Sequence, residues 1–172
     1  ASKGRAAVIA GFLQGPGEST LSDKERLLIA IQADGRVSDR YDGSIAHHRP
    51  VTFSFSKERK ITRLTELANQ LGLTLKHTGV RAAEGARKEQ QMFTLYVTED
   101  YFAFLKNYNW VRIEERNAAW CKDFLAEQIQ WDGHYTKNTG ILHTTSREAV
   151  EVSQAAAQEA ITGLRKKLNI PE

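Results

Sequence analysis

Leu27–Gly35 reads LLIAIQADG, and Leu125–Gly133 reads LAEQIQWDG. Both close an apolar helical stretch on one pattern, Ile-Gln-x-Asp-Gly, and Asp34 and Asp132 stand 98 residues apart. One helix ending in Asp-Gly says little, because both residues are common at helix ends and in turns. Two copies of a five-position pattern, each followed by the same kinds of element, imply an internal duplication.

Working outward, the first copy has a clean start. Ser22 and Glu25 form a capping box, with Leu21 as the flanking staple residue. Leu27, Leu28 and Ile31 give the apolar face, and Gly35 is expected to take the left-handed stop. Val37 opens a strand, and Arg40–Pro50 holds a long loop turning at Asp42-Gly43. Val51–Ser56 then alternates strictly, with Val51, Phe53 and Phe55 to one side and Thr52, Ser54 and Ser56 to the other. That is a sheet with one buried and one polar face. A helix over about Glu58–Gln70 follows, with Ile61, Leu64, Leu67, Ala68 and Leu71 as its stripe and Gly72 as its stop. A second hairpin joins Leu73–Val80 to Met92–Val97 through the basic, polar connection Arg81–Gln91. Thr98 is placed to cap a third helix carrying Tyr101, Phe102, Phe104 and Leu105.

In the second copy Asn117 caps a helix with Trp120, Phe124, Leu125 and Ile129. Strands follow near His134–Tyr135 and Ile141–Thr145, then a long helix from about Arg147 to Leu168. The expectation is an α+β fold: αββαββα over Ser22–Tyr108, then a shorter αββα with no second hairpin. The domains are a lead-in over 1–21, a first half over 22–110 and a second over 111–172.

Composition bounds the function classes. At 172 residues, 41% hydrophobic and 26% charged, the chain is an ordinary globular protein, which excludes disorder, collagen and coiled coil. A single cysteine, Cys121, excludes an internal disulfide and a Cys-rich zinc site. No apolar run approaches membrane-spanning length. Ala6–Leu13 is short and no small-residue cleavage site follows it, so an intracellular, cytoplasmic protein without an export signal or a membrane partner is expected. Between Arg36 and Lys88 there are eleven Lys and Arg against five Asp and Glu, a net of +6, while the rest of the chain carries −3. A concentrated basic stretch suits a polyanion, since neutralising phosphates releases counterions.

On the two helix ends and the elements after them, the sequence resembles the LAGLIDADG homing endonucleases. The resemblance covers Ser22–Tyr108 as a complete half and Asn117 to the end of the chain as an incomplete one. It implies two signature helices packed side by side at a pseudo-twofold axis, with saddle-shaped antiparallel sheets lying in the DNA major groove. It implies Asp34 and Asp132 as metal ligands for Mg²⁺, with Mn²⁺ or Ca²⁺ able to substitute for binding. The activity implied is Mg-dependent, site-specific cleavage of both strands of duplex DNA, leaving a short 3′ overhang with 5′-phosphate and 3′-hydroxyl ends. A non-cleaving DNA-binding module of the same fold, maturase-like or regulator-like, is the alternative. Two neighbouring carboxylates repel, and a divalent cation between them resolves the conflict.

Lys57, at the end of strand Val51–Ser56, and Lys60, one helical turn on, are candidate catalytic cations. The family's lysine at the end of the fourth strand has no match, because Thr98 sits there, and Lys106 or Lys137 are possible stand-ins. The DNA-reading set in the first half is Arg36, Arg40, His47, His48, Arg49, Thr52, Ser54, Ser56, Lys76, Thr78, Arg81, Arg87 and Lys88. In the second half it is Tyr135, Lys137, Asn138, His143 and Thr145. His47-His48 could suggest a metal pair, but no third ligand is near in sequence, and loop surface or DNA contact is the favoured reading.

The family favours small residues across its helix pair. The matching positions hold Ile29 and Ala33 in one helix and Glu127 and Trp131 in the other, so Glu127 would be a buried charge in need of a partner. Gln32 and Gln130 stand where an acid is often found. The absent second hairpin leaves a place for a second chain or a homodimer. The lead-in Lys3–Gly17 has no counterpart in the minimal fold and looks like the entry segment of an endonuclease embedded in an intein. No splicing nucleophile opens the chain and no asparagine ends it, so self-splicing is not expected.

Overall fold

The computed structural model describes residues 4–8, 21–38, 47–136, 139–144 and 146–168. In chain order the elements are β1 (Gly4–Val8), α1 (Asp23–Asp34), β2 (Arg36–Val37), β3 (His48–Phe55), α2 (Glu58–Gln70), β4 (Thr74–Arg81), β5 (Gln90–Thr98), α3 (Ala118–Asp132), β6 (Gly133–Thr136), β7 (Thr139–Thr144) and α4 (Arg147–Leu168). Short 3₁₀ segments lie at Glu99–Phe104 and Ile113–Glu115. The chain divides into two compact units, one over 23–106 and one joining 1–22 to 107–172.

The first unit is built on a four-stranded antiparallel sheet in the order β2-β3-β5-β4. The expected alternation in β3 holds. Val51, Phe53 and Phe55 are buried, Thr52 is exposed and Ser54 half-buried. Leu95 and Val97 of β5 join them, facing Val51 and Arg49 across the ladder. Helix α2 has the expected bounds and buries Leu64, Leu67 and Ala68. Gly72, at φ +65°, ends it in the left-handed conformation.

Two expectations need correction. Gly35 is not in the left-handed region. It is glycine because a Cβ there would sit 2.8 Å from the carbonyl oxygen of Ile31 and 3.0 Å from Cγ1 of Val51, so helix and strand could not approach. The third helix is a 3₁₀ segment over Glu99–Phe104. Lys24 of α1 donates to the Asp100 backbone carbonyl at 3.0 Å and to its carboxylate at 2.6 Å. Lys24 thereby ties the segment to α1, and Leu105, extended at φ −70° and ψ 128°, stops it.

The second unit carries a three-stranded antiparallel sheet, β1-β7-β6. The long helix expected from Arg147 is α4. The place left by the missing hairpin is filled from the chain itself. Strand β1, from the segment expected to be an unmatched lead-in, pairs along β7 from Gly4↔Thr144 to Val8↔Gly140. It lies beside β7 as β5 lies beside β3 in the first unit, so no second chain is needed for that strand. Helix α3 starts at Asn117, whose side chain accepts from the Trp120 backbone N–H at 2.8 Å. It buries Trp120, Cys121, Phe124, Leu125 and Ile129. Its Glu127 is 2% exposed and accepts from the Trp131 indole N–H at 3.1 Å. Gly163 of α4 lets that helix close on α3, since a Cβ there would lie 2.2 Å from the Cβ of Ala118. Gly133 is held by the same kind of approach as Gly35, with a Cβ falling 2.2 Å from the Ile141 carbonyl oxygen. Among the described residues no helix is long and apolar enough to cross a membrane.

Candidate functional site

Asp34 is the last residue of α1, and Lys60 lies in the first turn of α2. The Lys60 ammonium donates to Asp34 Oδ2 at 2.5 Å, with both side chains largely shielded from water. It also stands 5.8 Å from the centre of the Phe55 ring. An acidic side chain at a helix C-terminus is disfavoured by the macrodipole. Here Lys60 offsets that cost, and a second cation helps, because Lys106 donates to the carbonyls of Ile31 at 3.2 Å and Gln32 at 2.7 Å. Lys106, a possible stand-in for the family lysine, therefore caps α1 one turn short of Asp34. Lys57 occupies the N-cap of α2 without a side-chain cap bond.

A cleft of about 520 Å³ opens at this end of α1, lined by Gly35, Arg36, Val37, Arg49, Phe102, Leu105 and Lys106. Three of the seven are cations. Arg49 shares the parity of buried Val51, so its guanidinium lies toward the 3₁₀ segment, 6.0 Å from the Phe102 ring centre. The expected reading of Arg49 as a hairpin contact thus becomes a place in this cleft.

The polar face of the sheet carries a row across all four strands. Arg36 faces Thr52, Thr52 faces Thr94, and Thr94 faces Lys76. Ser54 faces Met92, and Arg81 faces Gln90. The Lys76 ammonium lies 5.3 Å from the Tyr96 ring centre. Gln90, Met92, Thr94 and Tyr96 of β5 were missed as candidates; the alternation of QQMFTLYVT is blurred by the neighbouring apolar pair Met92-Phe93 and the run Leu95-Tyr96-Val97. Thr78 is the extra residue of a bulge between His77 and Gly79. Ser56 and Lys88 are exposed, and Arg87 pairs with Glu84 at 2.7 Å in the β4–β5 connection. His47 and His48 diverge. His47, at φ +66°, meets Glu99 at 2.5 Å, while His48 opens β3.

In the second unit Asp132 ends α3. Its charge, with that of Glu148, adds to the burial that pushes the Tyr108 hydroxyl up to about 12; a hydrogen bond from Gln128 opposes the shift. The outward parity of this sheet carries His134, Ile141 and His143. Tyr135 falls on the opposite parity, shared with buried Gly133 and Leu142. Arg40, Lys137, Asn138 and Thr145 lie outside the described residues.

The chain matches no family model. Over 153 residues, 86% of its length, it is 26% identical to the ribonucleoside-diphosphate reductase subunit beta of Aquifex aeolicus (strain VF5). The chain spans about a fifth (21%) of that relative. Two solved structures of the LAGLIDADG endonuclease I-DmoI superimpose on it with TM-scores of 0.50 and 0.52. The identities are 17% and 16%; each covers 79% of this chain, and 76% and 74% of I-DmoI. The fold is that of a LAGLIDADG endonuclease. One of those I-DmoI structures is a complex with DNA and Mn, and the other holds its target DNA in the presence of Mn.

A LAGLIDADG fold with a helix-end carboxylate can be tested for its fit to a hard cation. Among the described residues no three His, Cys, Asp or Glu side chains converge. Mg²⁺ does not require them, being held by one or two carboxylates, waters and substrate phosphates. Gln32, two residues before Asp34, has a buried Oε1 without a hydrogen-bond partner among the described residues. Asp34 offers carboxylate oxygens at this helix end, and Arg36, Arg49 and Lys106 of the cleft suit a phosphate. The set fits.

Proposed function

We propose that the protein is a double-stranded DNA endonuclease, hydrolysing phosphodiesters at a specific site with Mg²⁺. The observation that carries the reading is Asp34 at the end of its signature helix, ion-paired to Lys60 and flanked by a cleft bearing Arg36, Arg49 and Lys106. Asp34 and Asp132 would each be a carboxylate ligand for a divalent cation, which when bound supplies a more acidic water and charge stabilisation for the leaving oxygen. The rest is work for this chain's own residues. The cationic cleft takes a backbone phosphate, and Lys60 orients the Asp34 carboxylate. Lys57, at the start of α2, offers a second ammonium to charge developing on the phosphoryl oxygens. The polar sheet face reads base edges through Arg36, Thr52, Ser54, Lys76 and Arg81, together with Gln90, Thr94 and Tyr96.

The I-DmoI complexes support duplex DNA as partner and a divalent ion as cofactor. The reductase match supports an origin in an element embedded in a host protein, such as an intein. An alignment confined to about a fifth of a chain is what an inserted domain gives. The test is selection on a randomised duplex library with Mg²⁺. The expected result is enrichment of one cleaved site, with retention of that duplex falling by orders of magnitude between low and moderate salt. Retention that ignores salt, with nothing cut, overturns the reading.

A further inference from the structure

The chain has five histidines, and two of them meet. His134 on β6 and His143 on β7 share one parity of the second sheet, on diagonal positions of the hairpin. Their ring nitrogens, Nδ1 of His134 and Nε2 of His143, lie 3.1 Å apart. The ring planes are 17° apart and the centroids 5.1 Å. With a nitrogen-to-nitrogen distance of 3.1 Å, that centroid spacing requires the two nitrogens to point at each other. Both residues are exposed. The other three histidines differ: His47 faces Glu99, His77 meets Gln91 at 2.8 Å, and His48 opens β3.

Two imidazole nitrogens bound to one tetrahedral zinc ion at about 2.0–2.1 Å are about 3.3 Å apart. The pair stands close to that spacing already, joined by an N–H···N hydrogen bond on a hairpin that fixes both backbones; loss of the shared proton and rotation of the rings about their Cβ–Cγ bonds turn both lone pairs onto one ion. We propose that His134 and His143 form a two-histidine chelate for a first-row transition-metal ion such as Zn²⁺, distinct from the oxygen-donor site at Asp34. Imidazole selects Zn²⁺, Cu²⁺ or Ni²⁺ over Mg²⁺, so the two sites sort their ions by ligand chemistry. Two protein ligands leave the remaining positions to water, or to a phosphate oxygen of nucleic acid lying on this face.

The test does not depend on cleavage. The protein is titrated with ZnCl₂ by calorimetry in excess Mg²⁺, beside His134→Ala, His143→Ala and the control His77→Ala. Circular dichroism checks that each variant is folded, and both targets are exposed enough to tolerate alanine. The expected result is uptake of one equivalent by the parent and by His77→Ala, lost in both hairpin variants. Zn²⁺ should also raise the melting temperature of the parent and leave that of the hairpin variants unchanged, because only the folded hairpin holds the chelate. No stoichiometric uptake by the parent, or uptake unchanged in both hairpin variants, overturns the proposal. Either result is independent of whether DNA is cut.

Discussion

Asp34 has an ammonium against it before any metal arrives, so Lys60 plays two opposed parts. It orients the carboxylate, and in the proposed site it competes for the oxygen that a divalent cation needs. Lys60→Met is therefore expected to separate two readouts: tighter Mg²⁺ binding, and cleavage slower by about a hundredfold, the usual cost of losing a positioned charge at a phosphoryl site. Titrating Mg²⁺ against single-turnover cleavage checks both. The glycines after the two aspartates act by steric room. Gly133→Ala puts a Cβ 2.2 Å from a backbone oxygen that cannot give way. A loss of about 3 kcal/mol is expected, read as a fall in melting temperature with helix content retained. Those glycines were legible in the sequence as markers of the aspartates. Their reason was not, because a close approach between helix and strand is a tertiary fact and Asp-Gly at a helix end suggests a left-handed stop first.

At the scale of elements, amphipathic pattern carried most of the fold. Helix α2 and the facing of β3 follow from period 3.6 and period 2 alone. Three things escaped. The segment after Thr98 is 3₁₀ and is held to α1 by Lys24, a contact between residues 76 apart in sequence. The outward residues of β5, Gln90, Met92, Thr94 and Tyr96, carry no charge, so the basic pattern does not mark them. Strand β1 was invisible as part of the second sheet, because its partner β7 lies more than a hundred residues on and the five residues GRAAV show no alternation that would give them an address. Removing residues 1–8 is expected to strip the second sheet of one edge and expose β7 for pairing with other chains. A lowered melting temperature and concentration-dependent aggregation check this; an unchanged melt would mean that β1 contributes nothing.

For the whole molecule, pH gives a signed expectation. The Tyr108 hydroxyl is raised from 10 to about 12, first by burial and then by the charges of Asp132 and Glu148. Tyr101, also raised to about 12, and Cys121, raised to about 11, follow mainly from burial. Each group is neutral when protonated and holds its proton more tightly when folded. Their stabilisation is therefore complete below their unfolded pKa values and is lost as pH rises through the folded ones. Tyr108 alone accounts for about 2–3 kcal/mol across that window. Denaturant midpoints should hold steady up to about pH 9 and fall between pH 10 and 12, with Tyr108→Phe flattening the fall.

Under the proposed function the aspartates ending α1 and α3 make this fold a nuclease. This is tested most directly by cleavage of the library-selected duplex in Mg²⁺ by the parent, Asp34→Asn and Asp132→Asn, with gel retention of the same duplex measured beside it. The expected result is cleavage by the parent, its loss in both variants, and retention equal to or tighter than the parent's, since each variant removes a negative charge facing phosphate. Cleavage that survives either substitution contradicts the account.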